Sequence, residues 1–171
     1  AGSAEKRHGI ILAKDETCKR RGVKTGMAIW QARQLCPDMV ILPPRMELYA
    51  EFSRKVRRIY SDYTDICEGF GLDESWLDVT GCVRDGAAAA EEIRSRVKRE
   101  LGVTVSIGVS WNKVFAKLGS DYKKPDAVTV ISWDTYKSLV WPLPAGELLY
   151  VGRSTARCLS SMGITTIGGV A

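Results

Sequence analysis

Between Gly69 and Gly81 the chain reads Gly-Phe-Gly-Leu-Asp-Glu-Ser-Trp-Leu-Asp-Val-Thr-Gly, and this stretch restricts the possible folds more than any other. Two carboxylates, Asp73 and Glu74, stand side by side among residues that favour a pleated, half-buried surface, with glycines marking bends. Successive side chains of a continuous strand point to opposite faces, so within a strand the two could not serve one site. At the bend between two short strands they can. Apolar flanks make the charges costly unless they are paired or coordinate a cation, and an oxygen-only pair suits a hard divalent ion. A solvated hairpin tip is the alternative that these residues alone leave open.

The surrounding pattern predicts a frame for such a hairpin. Leu48, Phe52, Val56, Ile59 and Tyr63 recur at spacings of three and four, which predicts a helix over Glu47–Tyr63. Arg54, Lys55, Arg57 and Arg58 fall off that stripe, on a face expected to be solvated. Gly86–Leu101 repeats the pattern through Ala90, Ile93 and Val97, with Glu92 and Arg96 spaced to pair and Gly102 as closing glycine. Val103–Val109 alternates as a strand. Asn112–Tyr122 reads as a helix packed through Val114, Phe115 and Leu118, with Lys113 and Lys117 on its other side, and Val128–Ile131 as a strand. From Glu47 the order is helix, strand, strand, helix, strand, helix, strand. That is a ferredoxin-like α+β core whose first strand is expected before Ala1, paired beside the acidic hairpin.

On the N-terminal side, His8–Ala13 and Met39–Leu42 read as strands around two helices, Lys14–Arg21 closed by Gly22 and Met27–Leu35 stopped by Cys36-Pro37. On the C-terminal side, Trp141-Pro142-Leu143-Pro144 reads as a stiff linker. A short helix over Glu147–Leu149, a turn at Tyr150-Val151-Gly152-Arg153 and a helix capped by Ser154 follow. A glycine turn between helices offers N–H groups to a phosphate, and an ordinary helical hairpin accounts for the same residues equally well.

A net charge of +5, gathered in basic clusters around Lys19, Arg54, Lys113, Lys123 and Arg153, leans toward a polyanionic partner. Five cysteines without CxxC spacing, and a single histidine, make neither a zinc site nor a disulfide framework; small core fillers in a cytoplasmic protein are expected. No apolar run approaches the ~20 residues of a membrane span, so no membrane partner is expected.

Four stretches carry a resemblance: Gly22-Val-Lys-Thr-Gly-Met27 with Cys36-Pro37; Leu72-Asp-Glu-Ser-Trp-Leu-Asp-Val-Thr80; Ser106-Ile-Gly-Val-Ser-Trp-Asn-Lys-Val-Phe-Ala-Lys-Leu118 running into Ser120-Asp121 and Lys124-Pro125; and Tyr150-Val-Gly-Arg153 with Gly163-Ile-Thr-Thr-Ile-Gly168. In this order, over nearly the whole chain, they resemble the Y-family translesion DNA polymerases, in the DinB (DNA polymerase IV) and UmuC branch. The resemblance implies fingers over 1–45, a ferredoxin-like palm over 46–141 and the start of a helix-hairpin-helix thumb over 142–171. It implies error-prone, template-directed addition of deoxynucleotides to a primer 3′ end by two-metal phosphoryl transfer. The partners it implies are primer–template DNA, deoxynucleoside triphosphates and a sliding clamp engaged beyond Ala171.

Residue by residue, Asp73 matches a ligand of two Mg²⁺ ions and Glu74 the catalytic carboxylate beside the primer terminus, with a third carboxylate expected from the strand before Ala1. The segment alone is therefore expected to be inactive. Lys124 matches the palm lysine on the incoming triphosphate. In the fingers Lys19 stands where the family often has arginine, keeping a point charge without the bidentate fork; Glu16, in a tyrosine's place, carries no phosphate role. Gly152 and Arg153 match the DNA-phosphate turn of the thumb, where Tyr150 replaces the first hairpin glycine. Two other classes compete: a non-catalytic polymerase relative that only binds DNA, and a ferredoxin-like RNA-binding module. The second wants exposed aromatics on its central strands, and Val103–Val109 has none.

Overall fold

A computed structural model describes residues 9–171, and the chain divides into two units, Ala1–Leu48 and Tyr49–Ala171. In the first, α1 (Glu16–Arg20) starts where the Asp15 carboxylate accepts from the Cys18 N–H at 2.8 Å, and α2 (Ile29–Leu35) follows. Both are shorter than the expected Lys14–Arg21 and Met27–Leu35. Ile11, Val23, Ile29, Ala32 and Cys36 form the core of this unit. The strand expected at His8–Ala13 begins outside the described residues; of the rest, only Ile10 pairs, through a single bridge to Ala28. Met39–Leu42 is no strand either. Val40 and Leu42 are 84% and 80% exposed, and a run without a partner ladder stays irregular whatever its propensity.

The second unit follows the predicted order. Helix α3 (Met46–Tyr60) is succeeded by β1 (Cys67–Phe70), β2 (Glu74–Leu77), α4 (Gly86–Leu101), β3 (Ile107–Val109), α5 (Lys113–Tyr122) and β4 (Val128–Val130). The caps are those that local chemistry demands. The Asp85 carboxylate accepts from the Ala87 and Ala88 N–H groups, the Asn112 side chain from that of Phe115, and Gly102 leaves α4 at φ +69°. Strands β1 and β2 form an antiparallel hairpin, and β3 and β4 a parallel pair joined through α5. Among the described residues the two pairs are separate sheets, and Val103–Ser106 lies outside any strand. Ile59, Ile93 and Val97 make the core beneath them, packed by Leu77 from one sheet and Ile107 from the other. Arg96 bonds Glu100 and Asp62 rather than Glu92, because Asp62 in the turn after α3 lies within its reach.

At the C-terminal end are α6 (Tyr136–Leu139), a 3₁₀ turn at Ala145–Glu147, α7 (Arg153–Ser161) and α8 (Ile167–Val170). The 3₁₀ turn replaces the helix expected over Glu147–Leu149. Helix α7 begins one residue before Ser154, with Gly152 as a cap that has no side chain to bond. Leu143, Leu148 and Ile167 share one core with Leu118 and Ile131 of α5 and the β4 end, so this segment packs directly on the parallel pair.

The cysteines correct the sequence reading. Only Cys36 is buried; Cys18 is half-buried, and Cys67, Cys82 and Cys158 are exposed thiols. Among the described residues, Thr129 Oγ1 on β4 is buried without a hydrogen-bond partner. Replacing Thr129 by valine, which keeps the shape and removes the orphaned hydroxyl, is expected to stabilise the fold by about 1 kcal/mol. Thermal melting checks it: an unchanged or lower midpoint would show that the hydroxyl carries no desolvation cost.

Candidate active site

The register of the hairpin builds the site. Glu68 pairs with Trp76 and Phe70 with Glu74, so these four side chains share one face; Cys67, Gly69, Ser75 and Leu77 share the other. Leu77 turns that second face to the core, which leaves the first open. On the open face the ring centres of Phe70 and Trp76 lie 4.9 Å apart, and Tyr150 meets Phe70 edge to face with ring centres 6.5 Å apart. The Trp76 indole N–H donates to the Lys113 carbonyl at 3.1 Å, while the Lys113 ammonium pairs with Glu68 and lies over the indole ring. The hairpin is thereby fixed to the first turn of α5.

The bend itself is Gly71-Leu72-Asp73, with Gly71 at φ +74°, a conformation that only glycine adopts at little cost. Asp73 is the last bend residue and is exposed; Glu74 is the first residue of β2 and half-buried. Both residues thus stand at the corner and line one cavity, as an adjacent pair can only when the chain turns there.

Behind Glu74 runs a line of alternating charges. Lys117 Nζ lies 2.9 Å from Glu74 Oε1 and 2.7 Å from Asp121 Oδ2, and Lys124 Nζ lies 2.6 Å from Asp121 Oδ1. Burial by itself pushes the Lys117 ammonium down, but the carboxylates of Asp121 and Glu74 outweigh it and raise the net value. Burial likewise pushes the Asp121 carboxyl up, and Lys117 and Lys124 outweigh it, holding it below the ordinary carboxylate range. The sequence pattern puts Lys117 on a helix face with no link to the acidic pair. Its four-residue spacing to Asp121 was the available signal; its reach to Glu74 crosses 43 residues and had none.

A cavity of about 470 Å³ opens between the two sheets, lined by Asp73, Glu74, Ser106, Lys117 and Lys124 among others. It gathers three of the residues singled out from sequence. Gly152 and Arg153 are exposed at the start of α7, outside the cavity lining. Tyr150 takes the glycine conformation its position demands, at φ +68°, with a side chain 80% exposed. In the first unit Lys19 is exposed and pairs with Glu16 at 3.0 Å, so the two departures noted in sequence bond each other.

Among the described residues no group of three His, Cys, Asp or Glu side chains gathers to hold a metal. The Asp73–Glu74 donor set nonetheless fits Mg²⁺, which is commonly held by one or two carboxylates together with waters and substrate phosphates. Among the described residues, too, no helix is long and apolar enough to cross a membrane.

Comparison with known proteins agrees with this architecture. The family model described as IMS, the impB/mucB/samB family, matches residues 1–121. DNA polymerase IV of Acetivibrio thermocellus is 56% identical over 99% of this chain and 43% of its own length. DNA polymerase IV 1 of Bacillus subtilis is 40% identical over the whole chain and 42% of its own length. A Dbh ternary complex superposes with a TM-score of 0.86 at 29% identity, over 95% of this chain and 50% of that one. DinB from Sulfolobus solfataricus superposes at 0.78 and 30% identity, over 87% and 45%. The chain thus spans less than half the length of the curated relatives named here. Matched over more than half of its residues by the family model, it belongs to the impB/mucB/samB family, that of the Y-family DNA polymerases.

Proposed function

We propose that this chain is the nucleotide-transfer segment of an error-prone, template-directed DNA polymerase that acts within a longer protein. The observation that carries the reading is the acidic corner on the open hairpin face, with Glu74 held by Lys117 and Lys124 lining the same cavity. Asp73 and Glu74 would hold Mg²⁺, with a further carboxylate from a strand paired beside the hairpin; bound there, the metal neutralises the developing charge and lowers the pKa of the attacking hydroxyl.

The chain's own residues do the rest. Lys117 bonds one carboxylate oxygen of Glu74, Oε1, which restrains the side chain and leaves Oε2 available to the primer 3′-hydroxyl. Lys124 is 54% exposed, and its ammonium exchanges Asp121 for a triphosphate oxygen at little desolvation cost. Phe70 and Trp76 wall the open face with apolar surface and keep the carboxylate corner from full hydration. Lys19 adds a point charge on the triphosphate, and the exposed Gly152–Arg153 turn a contact to DNA phosphate. The same reading gives primer–template DNA, deoxynucleoside triphosphates and a sliding clamp as partners, and a place in the cytoplasm.

Single-nucleotide incorporation tests it. The longer protein carrying this segment, given Mg²⁺ and one deoxynucleotide at a time, is expected to add the base complementary to the template. DNA binding that weakens with salt, with no nucleotide added, would favour a non-catalytic accessory instead.

A further inference from the structure

The basic face of α3, expected from sequence to be solvated, holds one cation that is not. Arg57 is half-buried, and its Nη2 donates to the Gly71 carbonyl at 2.8 Å. The guanidinium lies across Gly69: a Cβ there would fall 2.8 Å from Nη2 and 3.2 Å from Cζ. Gly69 belongs to the core-side face of the hairpin, opposite to Glu74. Arg57 therefore grips the bend from behind, at the peptide two residues before Asp73. Its neighbour Lys55 pairs with Glu51 at 2.7 Å, whereas Arg57 takes part in none of the ion pairs found among the described residues. The bond uses a single charged donor, Nη2, and one charge-assisted bond to a carbonyl fixes the plane of that peptide. The Gly71 peptide plane sets the path through Leu72 to Asp73, in a bend that a glycine at φ +74° would otherwise leave soft.

We propose that Arg57 is the positioning residue of the acidic corner: by holding the Gly71 carbonyl it sets the Asp73 carboxylate beside that of Glu74 for a divalent cation. This rests on the polymerase reading for the identity of the site, but its test does not. In the longer protein, Arg57→Gln is expected to weaken Mn²⁺ binding, measured by electron paramagnetic resonance without DNA or nucleotide, by about 10-fold. Arg57→Lys retains a charged donor and is expected to stay within about 3-fold of the parent. Gly69→Ala reaches the same contact with Arg57 intact, by pressing a methyl group on the guanidinium, and is expected to weaken Mn²⁺ binding by about 3-fold. In primer extension the Gln variant is expected to need more Mg²⁺ for half-maximal rate, with its affinity for primer–template unchanged.

Parent affinity for Mn²⁺ in both Arg57→Gln and Gly69→Ala overturns the proposal. A Lys variant as weak as the Gln variant overturns it as well, since lost packing alone would then explain both. Should the parent fail to extend primers while its Mn²⁺ affinity still depends on Arg57, the polymerase reading falls and the positioning role stands.

Discussion

Asp73→Ala is expected to lower single-turnover nucleotide incorporation by about 1,000-fold, the equivalent of about 4 kcal/mol of transition-state stabilisation. The same change is expected to move the melting midpoint by no more than about 1 °C, because Asp73 is exposed and no side-chain hydrogen bond or ion pair of the fold among the described residues uses it. That separation gives the variant its value. A carboxylate kept only as a solvated hairpin tip would lose neither activity nor stability. One kept to shape the bend would lose both together. Rapid-quench incorporation and thermal melting on the same preparation distinguish the three.

Gly108→Ala is expected to act on stability instead, by about 3 kcal/mol or more, a fall of about 6–12 °C in melting midpoint. Gly108 is the middle residue of β3, and a Cβ there would land on the Ala116 carbonyl of α5, with the Ser120 nitrogen at 2.5 Å and the Ala116 carbonyl carbon at 2.9 Å. All three are backbone atoms, so no rotamer change relieves the clash. On the helix side Gly119 is matched to the same contact: its own Cβ would stand 3.0 Å from the Gly108 Cα. Helix and strand approach through paired glycines, and the parallel β3–α5–β4 unit sits at that distance. A melting midpoint within about 2 °C of the parent would show that the helix shifts freely, and that Lys117 is not held to Glu74 by this packing.

What the sequence could show is what local chemistry decides. The stripes of α3 and α4, the caps at Asp85 and Asn112, and the closing Gly102 are short-range rules, and each element stands within a few residues of its predicted place. The bend at Gly71-Leu72-Asp73 was legible because glycines mark it and two adjacent carboxylates can serve one face only where the chain turns. Strand pairing is a long-range matter. Val103–Ser106 and Met39–Leu42 have strand-forming residues and no strand, since pairing depends on what lies alongside. The reach of Lys117 to Glu74 and of Arg57 to Gly71 is likewise set by tertiary approach, so spacing on their own helices placed both on outward faces. Ser154 gave way to Gly152 as the cap of α7, so the helix starts at Arg153, two residues before a Ser154 cap would set it. The exposed cysteines show the limit of composition: a thiol's burial follows from its neighbours, not from its type.

The measurement that bears most directly on the whole reading is single-turnover primer extension by the longer protein beside its Glu74→Ala variant, with primer–template affinity measured for both. The parent is expected to extend the primer. The variant is expected to bind the same DNA equally well and to add nucleotides at least about 1,000-fold more slowly. Extension by the variant within a few-fold of the parent would remove Glu74, and with it the acidic corner, from the chemistry.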